Sequence, residues 1–517
     1  MIPFDASGAF CPRAGSHDLR RVAVRSAAAT ISASGLSLAA QTISTVILAR
    51  LLTPGDFGVV TMVTTVSLLL ANFGLNGFSE AVIQCEQIDH NTASNLFWIN
   101  SGAGLVLSIA FASAGSLLAR FYRNPLVANV AIGLSVGIVI SATSVIHLAL
   151  LKRAIRFAGI SSTSVVGRVV NTAVSILLAL RGWGYWALVA GIVAQQLSVT
   201  VGAWFLCPWI PSFPRRTGKT RAMVRFAAKV YGQFCLLYST WNIDNLLVGW
   251  RFDAVALGFY KKAFDLFTLT AAQLTDPLNN VALAALSRLN QDHPRLRRYL
   301  ANSLGMIALA GMATSADLTL VGRDVVRLVL GPKWSESGRI FEVFGPGIGV
   351  MLLCSTFGWI HLSIGKPGRW LRWTLVQFGF TAALFLAALR WGPSGVAAAW
   401  SISYWALLIP GFWYAGRPIG FGVSALIAAI WKYVAAALVA GLITAGIIRR
   451  TVFWGTASDP ITALLAIIFI SALFTTLYLG AVILFYRGLM PLRQLASLLG
   501  ELAPRKDTRP AAETLGR

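Results

Sequence analysis

Leu48-Ala-Arg-Leu-Leu-Thr-Pro-Gly-Asp-Phe-Gly-Val-Val60 closes one long apolar segment and opens the next. Thr53 stands where an N-cap is needed, and Pro54 where a fixed φ and a missing N–H are tolerated. Asp56 falls at the third helical position, near the positive end of the dipole. The stretch reads as a helix turning over at a membrane surface. Its pattern returns as Val248-Gly-Trp-Arg-Phe-Asp-Ala-Val-Ala-Leu-Gly-Phe-Tyr260, with Asp253 in the place of Thr53 and Gly258 in the place of Gly58. Two related helical bundles in tandem are therefore expected.

Composition supports the membrane. Of 517 residues 56% are hydrophobic and 12% charged, with a mean hydropathy of +0.70, too little polar surface for a soluble globule. The net charge of +24 lies between the apolar segments and collects in the N-terminal arm, the C-terminal tail and every second loop. That is the positive-inside pattern of a protein facing an anionic lipid surface, and it argues against a nucleic-acid partner. Cys11, Cys85, Cys207, Cys235 and Cys354 have no C-x-x-C spacing, so neither a zinc site nor a disulfide framework is expected. The first 25 residues hold Asp5, Asp18 and several arginines without an apolar h-region, so no removable signal peptide is read there.

With about 20 apolar residues per span, roughly fourteen transmembrane helices are expected in an all-α polytopic membrane protein. The division read from the chain is an N-terminal cytoplasmic arm (1–26), a six-helix lobe (27–207) and a basic cytoplasmic linker (208–225) with Arg215, Arg216, Lys219 and Arg221. A second six-helix lobe (226–415), a final helix pair (416–487) and a cytoplasmic tail (488–517) with Arg505, Lys506 and Arg509 complete it. Further echoes support the repeat. Ile146-His147-Leu148 and Ile360-His361-Leu362 are each followed by a lysine, Lys152 or Lys366, and Gly182 with Ala187 is matched by Gly392 with Ala397. Six helices are an even number, so both copies share one orientation, a transporter architecture. The loops are short, the longest outer one running from about Gly322 to Gly338, which leaves the bilayer as the place of function.

The sequence resembles the Wzx-type polysaccharide flippases, the polysaccharide transporter branch of the multidrug/oligosaccharidyl-lipid/polysaccharide exporter superfamily. The resemblance rests on Ala49-Arg50-Leu-Leu-Thr-Pro-Gly-Asp-Phe-Gly58, Phe73-Gly-Leu-Asn-Gly-Phe-Ser-Glu-Ala-Val-Ile-Gln84 and Gly182-Trp-Gly-Tyr-Trp-Ala-Leu-Val189. Asp244-Asn-Leu-Leu-Val-Gly249, Leu257-Gly-Phe-Tyr260 and Gly331-Pro-Lys-Trp334 add to it. It implies two six-helix lobes around a central cavity, alternating access, and a polyprenyl-pyrophosphate-linked oligosaccharide as cargo for surface polysaccharide synthesis. A bacterial inner-membrane location, contact with membrane lipid, and a polysaccharide polymerase and export machinery as partners follow from the same resemblance. Cys85-Glu86 departs from it, since many relatives are basic there.

An ionisable side chain deep in a span costs about 3 kcal/mol or more on insertion scales, which makes each one a functional candidate. Arg168, Lys229 and Lys261 are the candidate cations for a pyrophosphate, Arg by bidentate bonds and Lys as a point charge. Each has a structural alternative: a paired Arg168, a snorkelling Lys229, and a Lys261 in an ion pair with Asp265 four residues on. Lys432 reads as a snorkelling residue of the last pair. The candidates for coupling transport to an ion gradient are Asp244, flanked by Asn242 and Asn245, with Asp265, Asp276 and Glu80. Most of the 17 tryptophans sit at segment ends, as an interfacial belt does, among them Trp183, Trp209, Trp334 and Trp373. Trp241 and Trp359 lie further in and are the candidates for stacking on sugar. His147 and His361 lack neighbouring ligand types, so no metal or other cofactor is expected.

The leading expectation is a transporter that flips a lipid-linked oligosaccharide outward. A membrane-embedded glycan polymerase or glycosyltransferase is the enzymatic alternative, but no Asp-x-Asp and no sizeable outer loop supports it. A peptidoglycan-precursor flippase or a drug exporter is the alternative among transporters, and the cationic candidates favour anionic cargo.

Overall fold

The computed structural model of the protein describes residues 3–5, 7–10, 19–215, 218–289, 292–450, 460–489 and 493. Most of the predicted C-terminal tail and part of the N-terminal arm lie outside them. Among the described residues the fold is all-α, the only extended pairing being the isolated bridges Phe4–Phe10 and Ala9–Asp89.

Seventeen α-helices follow in order. They are α1 (Leu19–Leu51), α2 (Pro54–Ala71), α3 (Phe78–Gln84), α4 (His90–Ser113), α5 (Gly115–Tyr122), α6 (Leu126–Ala142), α7 (Val145–Arg153), α8 (Phe157–Leu180) and α9 (Tyr185–Leu206). After the linker come α10 (Gly218–Arg251), α11 (Ala254–Arg288), α12 (His293–Leu330), α13 (Ser335–Ser363), α14 (Pro367–Ala388), α15 (Gly392–Gly416), α16 (Val423–Arg450) and α17 (Pro460–Tyr486). Nine helices among the described residues are long and apolar enough to cross a membrane, or ten if the bent pair α6 and α7 is one span. Charge accounts for two of the helices that fall short, α10 with Lys229 and Asp244 and α11 with Lys261, Lys262 and Asp265; α14 and α15 count as one continuous stretch, Pro367–Ile419, and α1 contributes only the shorter apolar segment Gly35–Leu51.

Three boundaries differ from expectation. α10 opens at Gly218, inside the predicted linker, because Lys219, Arg221 and Arg225 are good helix formers whose charges stay in water. The predicted outer loop from Gly322 is helix as far as Leu330, since Val325, Val326 and Leu328 continue its apolar face. What is left there is the turn Pro332–Trp334. The N-terminal arm is not free along its described length: Phe4 is buried against Trp209 and His90, and the His90 amide donates to Gly8 O at 2.9 Å.

The chain divides into two compact units, Met1–Leu266 with Val325–Phe341 and Thr374–Trp400, and Phe267–Asp324 with Glu342–Trp373 and Ser401–Arg517. In the first, α8 lies between α1 and α9, α6 packs on α2, α4 and α9, and α10 runs beside α2. Tyr231 and Tyr238 of α10 donate to Leu69 O and Thr65 O of α2 at 2.8 and 2.9 Å. In the second, α16 packs on α17, and Tyr478 donates to Leu309 O at 2.8 Å.

The two corners have the same chemistry. Thr53 closes a reciprocal capping box, accepting from Asp56 N at 3.2 Å while Asp56 accepts from Thr53 N at 2.9 Å. At the second corner Asp253 accepts from Ala256 N at 2.7 Å. The two corners also touch. A Cβ on Gly58 would stand 1.6 Å from Ala254 O, and one on Gly258 would stand 1.8 Å from Pro54 O. Each helix start lies against the other's first residue, at a distance only glycine allows. Gly182 and Gly392 likewise share a left-handed φ, +78° and +79°, ahead of the buried Ala187 and Ala397.

The histidine echo is out of register by one helical turn. Arg156 N bonds Leu151 O and Ile155 N bonds Lys152 O; Lys366 N bonds His361 O and Gly365 N bonds Leu362 O. The shared turn sets Leu151 against His361, so His147 and His361 are not equivalents.

Candidate functional site

The end of α1 and the Gly331-Pro-Lys-Trp334 turn form one structure. Lys333 Nζ donates to Arg50 O and Leu52 O at 2.8 and 2.7 Å, and buried Trp334 donates to Ala49 O at 2.8 Å. The last carbonyls of a helix have no intrahelical partner, so these bonds cap α1 from a distant part of the chain. Phe57 and Phe259, one from each corner, meet the Trp334 indole edge-on.

Inward of this corner, α10, α11 and α15 bring together the most enclosed charge of the first unit. Asp244 is 0% exposed, and its Oδ2 accepts from Tyr260 Oη at 2.8 Å and Trp400 Nε1 at 3.0 Å. Among the described residues no side chain bonds its Oδ1, and the side-chain atoms of buried Asn245 beside it are likewise without a partner. Trp241, one turn earlier on α10, stacks on Trp400 at 5.8 Å, and Phe264 and Phe385 close round the same indole. An isolated carboxylate is expensive to bury, and the two donors on Oδ2 offset part of that cost.

On α11 the next residue after Tyr260 begins a charged stretch. Lys261 Nζ pairs with Asp265 Oδ1 at 2.5 Å, both side chains part-exposed. Lys262 is buried, its ammonium 3.9 Å from the centre of the Phe57 ring. A cation over an aromatic face gains the ring's quadrupole field, and the Asp265 carboxylate three residues on also favours its charge.

The predicted residues thus separate. Asp244, Trp241, Lys261 and Asp265 come together. Arg168 lies apart on α8, half-buried, with Nη1 donating to Gln41 Oε1 of α1 at 2.7 Å. Lys229 is exposed on α10, and Glu80 is half-buried on the short helix α3. Trp359 is only 5% exposed and lies in the second unit. Asp276 is on α11, but its side chain lies outside the described residues. Among the described residues no three His, Cys, Asp or Glu side chains gather as a metal site. Three expected belt tryptophans are instead buried. Trp334 caps α1, Trp209 donates to His90 Nδ1 at 3.0 Å, and Trp373 packs against Phe357 and Tyr414.

Lys262 stands out in the sequence as one of five cations within the apolar segments, with Arg168, Lys229, Lys261 and Lys432, whereas Tyr260 and Trp400 do not stand out as site residues. Tyr260 ends the Leu257-Gly-Phe-Tyr260 motif, which was a signal available to be used. Trp400 has none, since nothing local ties it to a residue 156 positions away.

A sequence model of the family described as polysaccharide biosynthesis protein matches residues 47–339. The chain is 21% identical over 331 residues to the succinoglycan biosynthesis transport protein ExoT of Rhizobium meliloti, covering 64% of this chain and 67% of that one. It is 22% identical over 317 residues to the lipopolysaccharide biosynthesis protein WzxC of Escherichia coli, covering 60% of this chain and 63% of the relative, less than two thirds of its length. Among solved structures it is similar to the lipid II flippase MurJ in an inward closed conformation, with a TM-score of 0.70 at 15% identity over 90% of this chain and 99% of that one. That likeness extends the shared fold well beyond the residues of the family match.

Proposed function

The chain belongs to the polysaccharide biosynthesis protein family, and we propose that it flips a polyprenyl-pyrophosphate-linked oligosaccharide from the cytoplasmic to the outer leaflet. It does so by alternating access between two six-helix lobes, in a bacterial inner membrane, with both termini cytoplasmic. The names of the relatives support this reading: a succinoglycan biosynthesis transport protein and a lipopolysaccharide biosynthesis protein. The observation that carries it is the setting of Asp244, a fully buried carboxylate whose Oδ2 takes two side-chain bonds and whose Oδ1 takes none among the described residues, on a helix of an apolar bundle.

In this reading Asp244 is the coupling residue. When its Oδ1 takes a proton or a sodium ion, the enclosed carboxylate loses its net charge, and the aromatic ring around it repacks with a neutral group. Releasing the ion restores the charge and favours a conformation that lets water reach it. Tyr260 and Trp400 hold Oδ2 in place, so that Oδ1 is the atom that exchanges. Lys261, with Arg168 and Lys229, supplies positive charge for the pyrophosphate, and Trp241 offers an exposed indole face to sugar. The cargo is moved without making or breaking a covalent bond.

The test is export of labelled lipid-linked repeat unit to the outer leaflet in cells lacking the protein, complemented by wild type or by Asp244→Asn. Wild type restores export; the neutral variant reaches the membrane at the same level and restores at most about a tenth of it, losing a charge interaction of about 1.4 kcal/mol or more. Undiminished export without the protein ends the flippase reading. Full export by Asp244→Asn ends the coupling role alone.

A further inference from the structure

The basic linker forms a second site, remote in sequence from Asp244. Between α9 and α10 the chain lies across the first turns of α4 and is fixed there by hydrogen bonds. Asn95 accepts from Arg215 N at 2.9 Å and donates to Arg215 O and Thr220 Oγ1. Ser212 N donates to Ser94 Oγ at 3.0 Å, and Trp98 Nε1 donates to Ser212 O at 2.9 Å. The result is a cavity of about 940 Å³ lined by Asn95, Trp98, Ile99, Arg215, Thr220 and Arg221, with Gly218 and the first turn of α10 at one edge.

Its walls are of two kinds. Trp98 and Ile99 are 43% and 39% exposed, and in the linker, on either side of the Ser212 to which Trp98 is bonded, Ile210 and Phe213 are 79% and 87% exposed. Large apolar side chains so placed belong against hydrocarbon. Facing them, the exposed Arg215 and Arg221 side chains enter no ion pair among the described residues. The first turn of α10 adds amide N–H groups without intrahelical partners and the positive end of a 34-residue helix. The nearby carboxylate, Asp89, is already engaged. Partial burial would push its acid range up, but bonds from Thr92 N and Thr92 Oγ1 hold it below the usual carboxylate value. It caps α4 and does not reach the arginines.

We propose that this cleft binds an anionic phospholipid of the cytoplasmic leaflet, its phosphate between Arg215 and Arg221 and its acyl chains along Trp98, Ile99 and Phe213. A free phosphate would leave the apolar wall unused, and a neutral lipid would leave the two guanidinium groups unmatched. A lipid with net negative charge answers both. The site is independent of the transport reading. It explains why the linker is bonded to Ser94, Asn95 and Trp98 of α4 while it carries exposed phenylalanine and isoleucine.

The full-length protein, purified in neutral detergent and mixed with phosphatidylglycerol or phosphatidylcholine, is examined by native mass spectrometry. Wild type retains phosphatidylglycerol about tenfold or more above Arg215→Ala/Arg221→Ala, as the loss of two charge-assisted bonds requires, and the two retain phosphatidylcholine alike. Arg181→Ala, a change outside the cleft, behaves as wild type, and Arg215→Lys/Arg221→Lys keeps most of the retention. A melting curve in lipid-free detergent shows that the double alanine variant is folded; Arg221→Gln gives the same readout if it is not. Equal retention of phosphatidylglycerol by wild type and either variant overturns the site. So does displacement of phosphatidylglycerol by an equimolar polyprenyl pyrophosphate, which would assign the cleft to cargo.

Discussion

At the scale of the residue, Asp244 shows how little of a buried site is local. Its flanking asparagines marked it in the sequence, but what defines its chemistry is Tyr260 from the next helix and Trp400 from α15. Tyr260→Phe keeps the ring and removes the donor. It is expected to leave membrane levels unchanged and to shift the pH or sodium dependence of export, because Asp244 Oδ2 loses one of its two bonds; an unaltered profile in a vesicle assay would remove Tyr260 from the coupling. Arg168, midway along α8, is half-buried and bonded to the neutral Gln41, and among the described residues it pairs with no carboxylate. Arg168→Ala should cut export several-fold, with Arg168→Lys intermediate, whereas Gln41→Ala should have little effect; a strong Gln41→Ala defect would mark the pair as structural.

Among the elements, the corners were the most legible. Capping follows from side chains within four residues of each other, so Thr53, Pro54 and Asp56 announced α2 completely, and Asp253 announced α11. The contact between the two corners was not legible, because no local rule says which helices cross. It gives glycine its meaning there. Thr53→Ala should cost about 1 kcal/mol, seen as a lower melting temperature with export retained. Gly258→Leu cannot be fitted against Pro54 O, and the folded fraction in detergent, read by size-exclusion chromatography, should fall to a small part of wild type. If Gly258→Leu folds normally, the two helix starts are not held together as described. The likeness of the two corners was visible for the same reason as the caps, while the histidine echo is out of register by one turn at His147 and His361, where four residues bring a side chain back to nearly the same face.

For the molecule as a whole, hydropathy and charge were enough for the class of fold and not for the number of spans. Helices that carry charge dilute their own apolar signal, as α10 and α11 do with lysine and aspartate. The predicted topology can be checked directly. On a cysteine-free background, Arg181→Cys and Arg390→Cys should react with an impermeant thiol reagent in intact cells, and Ser212→Cys only after lysis; the reverse pattern would invert the orientation and move the lipid cleft to the other leaflet.

The cap on α1 sets an order in time. Arg50 and Leu52 are made early, but the lysine and tryptophan that complete their helix are 281 to 285 residues further along. At synthesis rates of about 5–20 residues per second, the first span waits roughly 15–60 s in the membrane with its last carbonyls open. Chains stopped before Trp334 would keep that end unsealed indefinitely, which gives a quality-control protease a feature by which to tell unfinished copies from finished ones.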